Sequence, residues 1–342
     1  MTKPVLIVTH PKDWEISEYG KESIFDIHYV SLGGYHPHKL NGVLTNDGYA
    51  DEVTVEGLDH MSKAFQKYKP NVFLFWLHSG FSYNHLDHLR SICPNVRVAF
   101  WFGNHRVKVN NAVKGFRPNL VLLNSKDTNQ FSMYREHGFN VGCLYDGFNP
   151  DETPLVEKEP TFDCFFGGES YIMASLKQSG LIFPGAHIRY EFITKVNQKF
   201  KTLVTAARKD SWPFKVQPAC FHPLYTERMR EAKITLNLNH FPSFEKAYTR
   251  RTIRSLFARR CHITLYIPGM EDDFENKKHL VWFKTVEEGL GLIDYYLKHD
   301  DEREAIANAG YKIACEKYTF KNRLVDFEVL AKKYLLRGNE ND

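Results

Sequence analysis

The sequence predicts an α/β protein built as two tandem doubly wound domains with a cleft between them. Three observations carry that expectation. The chain has 342 residues, too many for one ordinary core and suited to two domains of about 150 each. Short apolar runs alternate with stretches of helical periodicity in both halves, the βαβα rhythm of parallel sheets covered by helices. Between the halves, GFNPDETPLVEKEP (147–160) is rich in proline and glutamate and has no periodicity, which marks a linker.

In the first half, PVLIVT (4–9) reads as a buried strand and DIHYVSL (26–32) as a second. A helical pattern spans Glu52 to Tyr68. NVFLFWL (71–77) is a continuous apolar run, as expected of a central parallel strand. A helix around Asn84 to Ile92 precedes the strand NVRVAFWF (95–102), and NLVLLN (119–124) follows. Ser125 is placed to cap a helix running to about His137, and Gly138 is a natural stop. NVGCLY (140–145) closes the set. In the second half, TFDCFFGG (161–168) opens a new series, followed by a helix near Ile188 to Phe200, the strand KTLVTAA, a helix near Tyr225 to Ala232 and the strand KITLNLN (233–239). A basic helix, HITLY, LVWF (280–283), two further helices and an amphipathic helix over Thr319 to Leu336 complete the chain.

Hydrophobic content of 43% and charged content of 25% are ordinary for a globular protein, while the aromatic share of 14% is high and suits deep cores or stacking pockets. The net charge of +4 excludes a polycation, but the charge is unevenly placed. From His88 to Lys126 there is no acidic residue, and Arg90, Arg97, Arg106, Lys108, Lys114, Arg117 and Lys126 are all basic. The stretch from Lys246 to Met270 is likewise free of acid and carries Lys246, Arg250, Arg251, Arg254, Arg259 and Arg260. Facing each other, the two would line a cleft attractive to polyanions, with roughly half of the side chains simply solvated. The six cysteines form no CxxC pair and no metal-ligand spacing, which points to a reduced, cytoplasmic compartment. MTKPVLIVTHP is too short and polar for a signal peptide, and no apolar run reaches membrane-span length; no integral membrane association is expected. No G-x-G-x-x-G follows the first strand, so ordinary NAD binding is not supported.

The chemistry concentrates in YTRRTIRSLFARRCHITLYIPGMEDDF (248–274), read as a basic helix, a buried strand and a Pro-Gly turn opening an acidic helix. Arg250, Arg251 and Arg254 fall at helical spacings that put them on one side. Guanidiniums near a helix start and beside a strand end make a site for a diphosphate, and so for a nucleotide-linked substrate. Gly167 and Gly168 end a strand where small residues let backbone amides approach a phosphate or sugar, or simply make a tight turn. Asn237 and Asn239 point to one face at a strand end, to bond ligand hydroxyls or to cap the next loop. Candidates for a general base sit at strand ends in the first half: His78, Asn104-His105 and Asp146. The loop SLGGYHPHKLNG (31–42) could close over a second substrate; its His36 and His38 lack a third ligand, and no metal site is expected.

These residues resemble a family. RTIRSLFARRCHITLYIPGMEDDF (251–274) is similar to the pattern Arg-Thr-Phe-Glu-Ala-Leu, small-residue turn, strand, Pro-Gly-Leu-Glu-Glu-Phe of GT-B fold glycosyltransferases, especially the CgeB-like branch of the group 1-like family. VEEGLGLIDYYLKHDDEREAIANAGYKIACEKYTFKNRL (286–324) is similar to that family's closing helices, and FDCFFGGESY (162–171) to the opening strand and glycine turn of its nucleotide-binding domain. WFGNHR (101–106) and LNSKDTNQFSMYREHGFNVGCLYDGFNP (123–150) look like its N-terminal domain up to the linker.

The resemblance implies a Rossmann-like acceptor-binding domain at 1–150, a Rossmann-like nucleotide-sugar-binding domain at 151–318, and a helix at 319–342 crossing back to the first. It implies a UDP-linked sugar donor held by Gly167, Gly168, Asn237, Asn239, Arg250, Arg251, Arg254, Gly269, Glu271 and Asp272. Trp101, Asn104, Arg106 and Lys108 would bind the acceptor, with no cofactor beyond the donor. No metal is required where arginines supply the charge. The acceptor reads as a saccharide or small metabolite, or as hydroxymethylated pyrimidine in double-stranded DNA, with Trp101, Phe102 and Phe116 stacking a flipped base. The sequence departs from the family at Arg254, where many retaining members carry a ribose-gripping glutamate. That leaves two alternatives open: a non-catalytic nucleotide- or nucleic-acid-binding protein, and a sugar-nucleotide epimerase.

Overall fold

The structure is a computed structural model. It describes residues 2–9, 22–30, 38–40, 43–45, 54–76, 81–102, 108–109, 111–150, 155, 159–172, 183–208, 210–220 and 224–336, with backbone alone at 38–40, 43–45 and 102. The chain divides into two compact units: Met1–Pro37, Gly48–Gly147 and Phe320–Asp342 form the first, and His38–Asp47 with Phe148–Thr319 form the second.

The chain opens with β1 (Val5–Thr9) and β2 (Asp26–Tyr29). A two-stranded antiparallel hairpin follows, β3 (His38–Leu40) and β4 (Val43–Thr45), where the sequence suggested only a loop; His36 lies outside the described residues. Next come α1 (Val55–Tyr68), β5 (Val72–Trp76), α2 (Tyr83–Ile92), β6 (Arg97–Phe102), α3 (Asn111–Phe116), β7 (Leu120–Leu123), α4 (Thr128–Arg135) and β8 (Asn140–Cys143). The first unit's sheet has the order β2-β1-β5-β6-β7-β8 and every pairing in it is parallel. Its central strands β5 and β7 are buried on both faces, which is why they read as unbroken apolar runs, while the edge strand β2 is exposed or half-buried throughout. Alternation sorts their side chains: Phe73, Phe75 and Phe100 join Met61, Phe65 and Phe116 in one core layer, while Leu74, Ala99 and Trp101 lie in the other with Phe320 and Phe327.

Local chemistry fixes the helix ends. The Thr54 hydroxyl accepts the amide of Gly57 at 2.9 Å, so α1 starts later than the apolar pattern implied. The cap of α4 is Asp127, whose carboxylate accepts the Gln130 amide at 2.8 Å; the expected cap, Ser125, instead donates its hydroxyl to the Gln130 side chain at 2.6 Å. A cap must sit immediately before the first helical turn, and Ser125 is two residues too early.

The second unit runs β9 (Phe162–Gly167), α5 (Ala186–Lys199), β10 (Thr202–Ala206), the short β11 (Gln217–Pro218), α6 (Leu224–Arg230), β12 (Ala232–Asn237), α7 (Arg250–Phe257), β13 (Cys261–Leu265), β14 (Val281–Phe283), α8 (Val286–Lys298) and α9 (Asp300–Lys317). The closing helix α10 (Phe320–Tyr334) belongs to the first unit. There a Cβ at Gly142 would stand 2.8 Å from Leu330, so α10 lies tightly on β8. The second sheet is also all parallel, in the order β11-β10-β9-β12-β13-β14. All six cysteines are free thiols. Among the described residues no helix is long and apolar enough to cross a membrane.

One core group makes stability depend on pH. His262, in β13, is fully buried, with Nδ1 3.1 Å from the Thr235 hydroxyl. Desolvation lowers its pKa from the ordinary 6.5 to about 3. Between those two values the unfolded chain binds a proton that the folded chain does not, so this contribution is complete above pH 6.5 and is lost as the pH falls toward 3, by up to about 1.4 kcal/mol per pH unit. Denaturant midpoints of the wild type should fall between pH 7 and pH 5 more steeply than those of His262→Asn. Equal slopes would contradict the assignment.

Candidate functional site

The order of the second sheet reverses between β9 and β12, because the chain leaves β9 for β10 on one side and returns to β12 on the other. Connections diverge at the carboxyl ends of those two strands and leave a crevice, where ligands of open parallel sheets bind. Gly167 ends β9 and Asn237 ends β12. Both are held tightly. A Cβ on Gly167 would meet the Tyr225 ring at 2.4 Å, and the Tyr225 hydroxyl donates to the Gly167 carbonyl at 3.4 Å. Gly168 has φ +151°, a region other residues avoid, and a Cβ there would lie 3.3 Å from Cζ of Arg251.

Helix α7 brings Arg251 to this point. The amide of Asn237 donates to the hydroxyls of Thr249 (3.1 Å) and Thr252 (3.0 Å), pinning the helix start over the end of β12. The first turn has no acidic residue and carries Arg250 and Arg251. Helix amino termini are electropositive and disfavour cations, so such a turn is suited to an anion. Nη1 of Arg251 is buried and has no hydrogen-bond partner among the described residues. Arg250 is half-buried. Arg254 is buried, its guanidinium 4.9 Å above the Phe148 ring.

Two participants escaped the sequence reading. Arg189, on α5, is fully buried. It donates to the carbonyls of Glu169 (3.2 Å) and Leu238 and to Nε2 of His240 (3.0 Å). Burial and then the charge of Arg251 hold its pKa well below the usual guanidinium range. Tyr225 is the other; burial pushes its hydroxyl up to about 12 although Arg251, Arg254 and Arg189 all act to lower it. Arg189 sits inside an apolar helical pattern, and only its being a charge at a core-facing position could have flagged it.

The Pro-Gly turn follows β13, the strand beside β12. Gly269 has φ +78° and packs against the side chains of Lys246 and Glu245. The expected acidic helix is a single 3-10 turn, Met270–Asp272, because Asp273 and Phe274 close back on Met270. Glu271 accepts the Tyr266 hydroxyl at 3.0 Å, and Asp272 pairs with Lys246 at 2.9 Å; both carboxylates are on exposed residues. Burial acts to lower the pKa of Lys246, but Asp272 and Asp273 outweigh it and raise it. Asn239 holds its own loop, donating to Ala247 O at 2.6 Å and accepting from the Phe241 amide at 3.3 Å. Asn237 and Asn239 thus anchor backbone and helix, while Oδ1 of Asn237 is buried with no hydrogen-bond partner among the described residues.

The other expected residues are placed variously. Trp101 is 1% exposed, and its indole donates to Asn124 Oδ1 (3.1 Å) and Leu144 O (2.9 Å), so it offers no stacking face; strand parity turned it inward. Phe116 is buried as well. Asp146 is buried and accepts the Asn124 amide at 3.2 Å. Lys108 is exposed. His78, Asn104, His105 and Arg106 lie outside the described residues. The basic stretches also divide. Arg90 and Arg117 pair with Asp87. Arg259 bonds Asn308, and Arg260 bonds the Arg230 carbonyl, at the far end of α7 from Arg251; these surround a separate cavity of about 390 Å³.

Residues 189–328 match a protein family described as glycosyl transferase-like. The crystal structure of a glycosyltransferase from Rickettsia africae is similar along the whole chain, with a TM-score of 0.58 at 13% identity over 99% of this chain and 100% of that one. Alr3699/HepE from Anabaena in complex with UDP-glucose gives 0.56 at 10% identity, covering 96% and 99%. Sucrose-phosphate synthase from Thermosynechococcus elongatus gives 0.57 at 8% identity, covering 96% and 98%. No curated protein sequence matches the chain. The fold is thus the GT-B architecture of two parallel α/β units that these glycosyltransferases share.

The fit at Gly167 is testable by itself. Gly167→Ala should cost about 1–3 kcal/mol in denaturant unfolding through overpacking against Tyr225, and adding Tyr225→Ala should leave the glycine substitution nearly without cost. Equal penalties in both backgrounds would refute the contact.

Proposed function

We propose that the protein transfers a sugar from a nucleotide-diphosphate sugar to an acceptor hydroxyl. The observation that carries the reading is the Arg251 guanidinium lying on Gly168, at the acid-free start of α7 and at the switch point of the second sheet. Glycosyl transfer breaks the bond between C1 of the sugar and the terminal phosphate oxygen. Negative charge grows on the departing nucleoside diphosphate, and fixed cations and helix-terminal amides stabilise that charge more than they stabilise the intact donor. Gly168, lacking a Cβ, lets the backbone approach the phosphates. The arginines provide the positive charge a divalent ion could otherwise supply, so transfer is proposed to be metal-independent.

The structures of Alr3699/HepE with UDP-glucose and with UDP support UDP as the carrier. We assign donor binding to the second unit and acceptor recognition to the first, with a saccharide or small metabolite as acceptor. The burial of Trp101 and Phe116 and the pairing of Arg90 and Arg117 with Asp87 weigh against hydroxymethylated DNA.

The test is transfer of labelled sugar from UDP-sugars, with UDP-dependent thermal shift as the binding readout. Arg251→Ala should reduce turnover about 100- to 1,000-fold, the usual effect of removing one charge-stabilising donor, and should diminish the shift with UDP. Wild-type rates in that variant would sink the assignment of the site. Interconversion of donor sugars with no acceptor present would replace transfer by epimerisation.

A further inference from the structure

Among the described residues, the buried cation behind the site bonds no carboxylate. Arg189 is fully buried, and its hydrogen bonds go to two carbonyls and a histidine; among the described residues none goes to a carboxylate. Nor is it isolated. Glu169, whose carbonyl it holds, follows Gly168, and Gly168 carries the Arg251 guanidinium. Because an arginine can only donate, Nε2 of His240 must accept, and the His240 ring is held in its neutral form. The Glu169 carboxylate is turned away: one of its oxygens accepts the amides of Ala207 (2.7 Å) and Arg208 (3.1 Å) at the end of β10. A buried charge without a partner costs several kcal/mol. Two guanidiniums converging on one strand end increase that cost unless an anion joins them.

We propose that Arg189 is a positioning and specificity-determining residue for the donor site, making it select a diphosphate over a monophosphate. Its fork ties the turn after β9 to the turn after β12, through the carbonyls of Glu169 and Leu238, and so sets the spacing of the crevice. Its charge adds to that of Arg251 from behind. Arg251 alone suffices to hold one phosphate. The second cation, screened little because it is buried, rewards the additional negative charge of a diphosphate. The inference rests on the donor-site reading above and adds which phosphate chain the site prefers, and through which residue.

The experiment measures dissociation constants for UDP and UMP, with melting curves, in wild type, Arg189→Met and Arg189→Lys. The wild type should prefer UDP strongly. In Arg189→Met that preference should drop by about tenfold, the order expected for one unit charge acting across roughly 12 Å at an effective dielectric near 20. A purely structural role would weaken both ligands alike and leave the ratio unchanged, which would overturn the inference. Arg189→Lys keeps the charge and loses the fork, so its ratio should stay within about threefold of wild type while kcat/KM for transfer falls. If the methionine variant does not fold, the lysine variant decides: a collapsed UDP preference there overturns the role given to charge. A folded wild type that binds neither nucleotide would fail the donor-site reading itself, whereas normal UDP binding with an unchanged ratio in Arg189→Met would fail only this inference.

Discussion

A side chain at position 168 would crowd the Arg251 guanidinium. Its Cβ would stand 3.3 Å from the Arg251 guanidinium, on a backbone with φ +151°. The close approach of that cation to bare backbone organises the second unit. It requires β9 to end in glycines, α7 to begin directly over the end of β12, and the connection between them to be pinned by Asn237 through Thr249 and Thr252. Each of these features is costly or unusual alone. Together they hold a guanidinium over bare backbone at the end of β9, and preorganised charge of that kind is what charge-separating chemistry uses.

The parallel sheet supplies the rest of the geometry. Its order places β9 beside β12, and their carboxyl ends open on the crevice. The same alternation that packs Cys164, Phe166 and Leu236 into the core leaves the strand termini to carry the site. Arg189 shows how far the polar machinery penetrates: it reaches from α5 to the loops after both strands without leaving the protein interior. Its Nη groups bond two carbonyls and the His240 ring, while its buried Nε has no partner among the described residues, and none of its bonds there goes to a carboxylate.

Much of this was legible in the sequence, and the reasons are physical. Strands buried on both faces must be continuously apolar, so NVFLFWL and HITLY announced themselves. Arg250, Arg251 and Arg254 were visible because an acid-free helix start is rare enough to notice. Burial of particular side chains was not legible. Trp101 reads equally well as a stacking platform or as core, and only its place in the pleat decides. Arg189 was hidden inside an apolar pattern, where a charge reads as an exposed interruption. The 3-10 turn at Met270–Asp272 was mistaken for a helix because acidic residues after Pro-Gly are a helix-start signal, while the backbone bonds of Asp273 and Phe274 that close the turn leave no trace in composition. Residue type was readable, in short, wherever sterics left one solution, and unreadable where two folded placements share the same pattern.

The central claim is that the anion site lies between Gly168 and the start of α7. A crystal structure of the protein with UDP tests it most directly. The account predicts both phosphates over Gly168, with the Arg251 guanidinium within hydrogen-bond distance of a phosphate oxygen and Arg189 unmoved behind it. UDP bound with its phosphates elsewhere, with Arg251 unengaged, would contradict it.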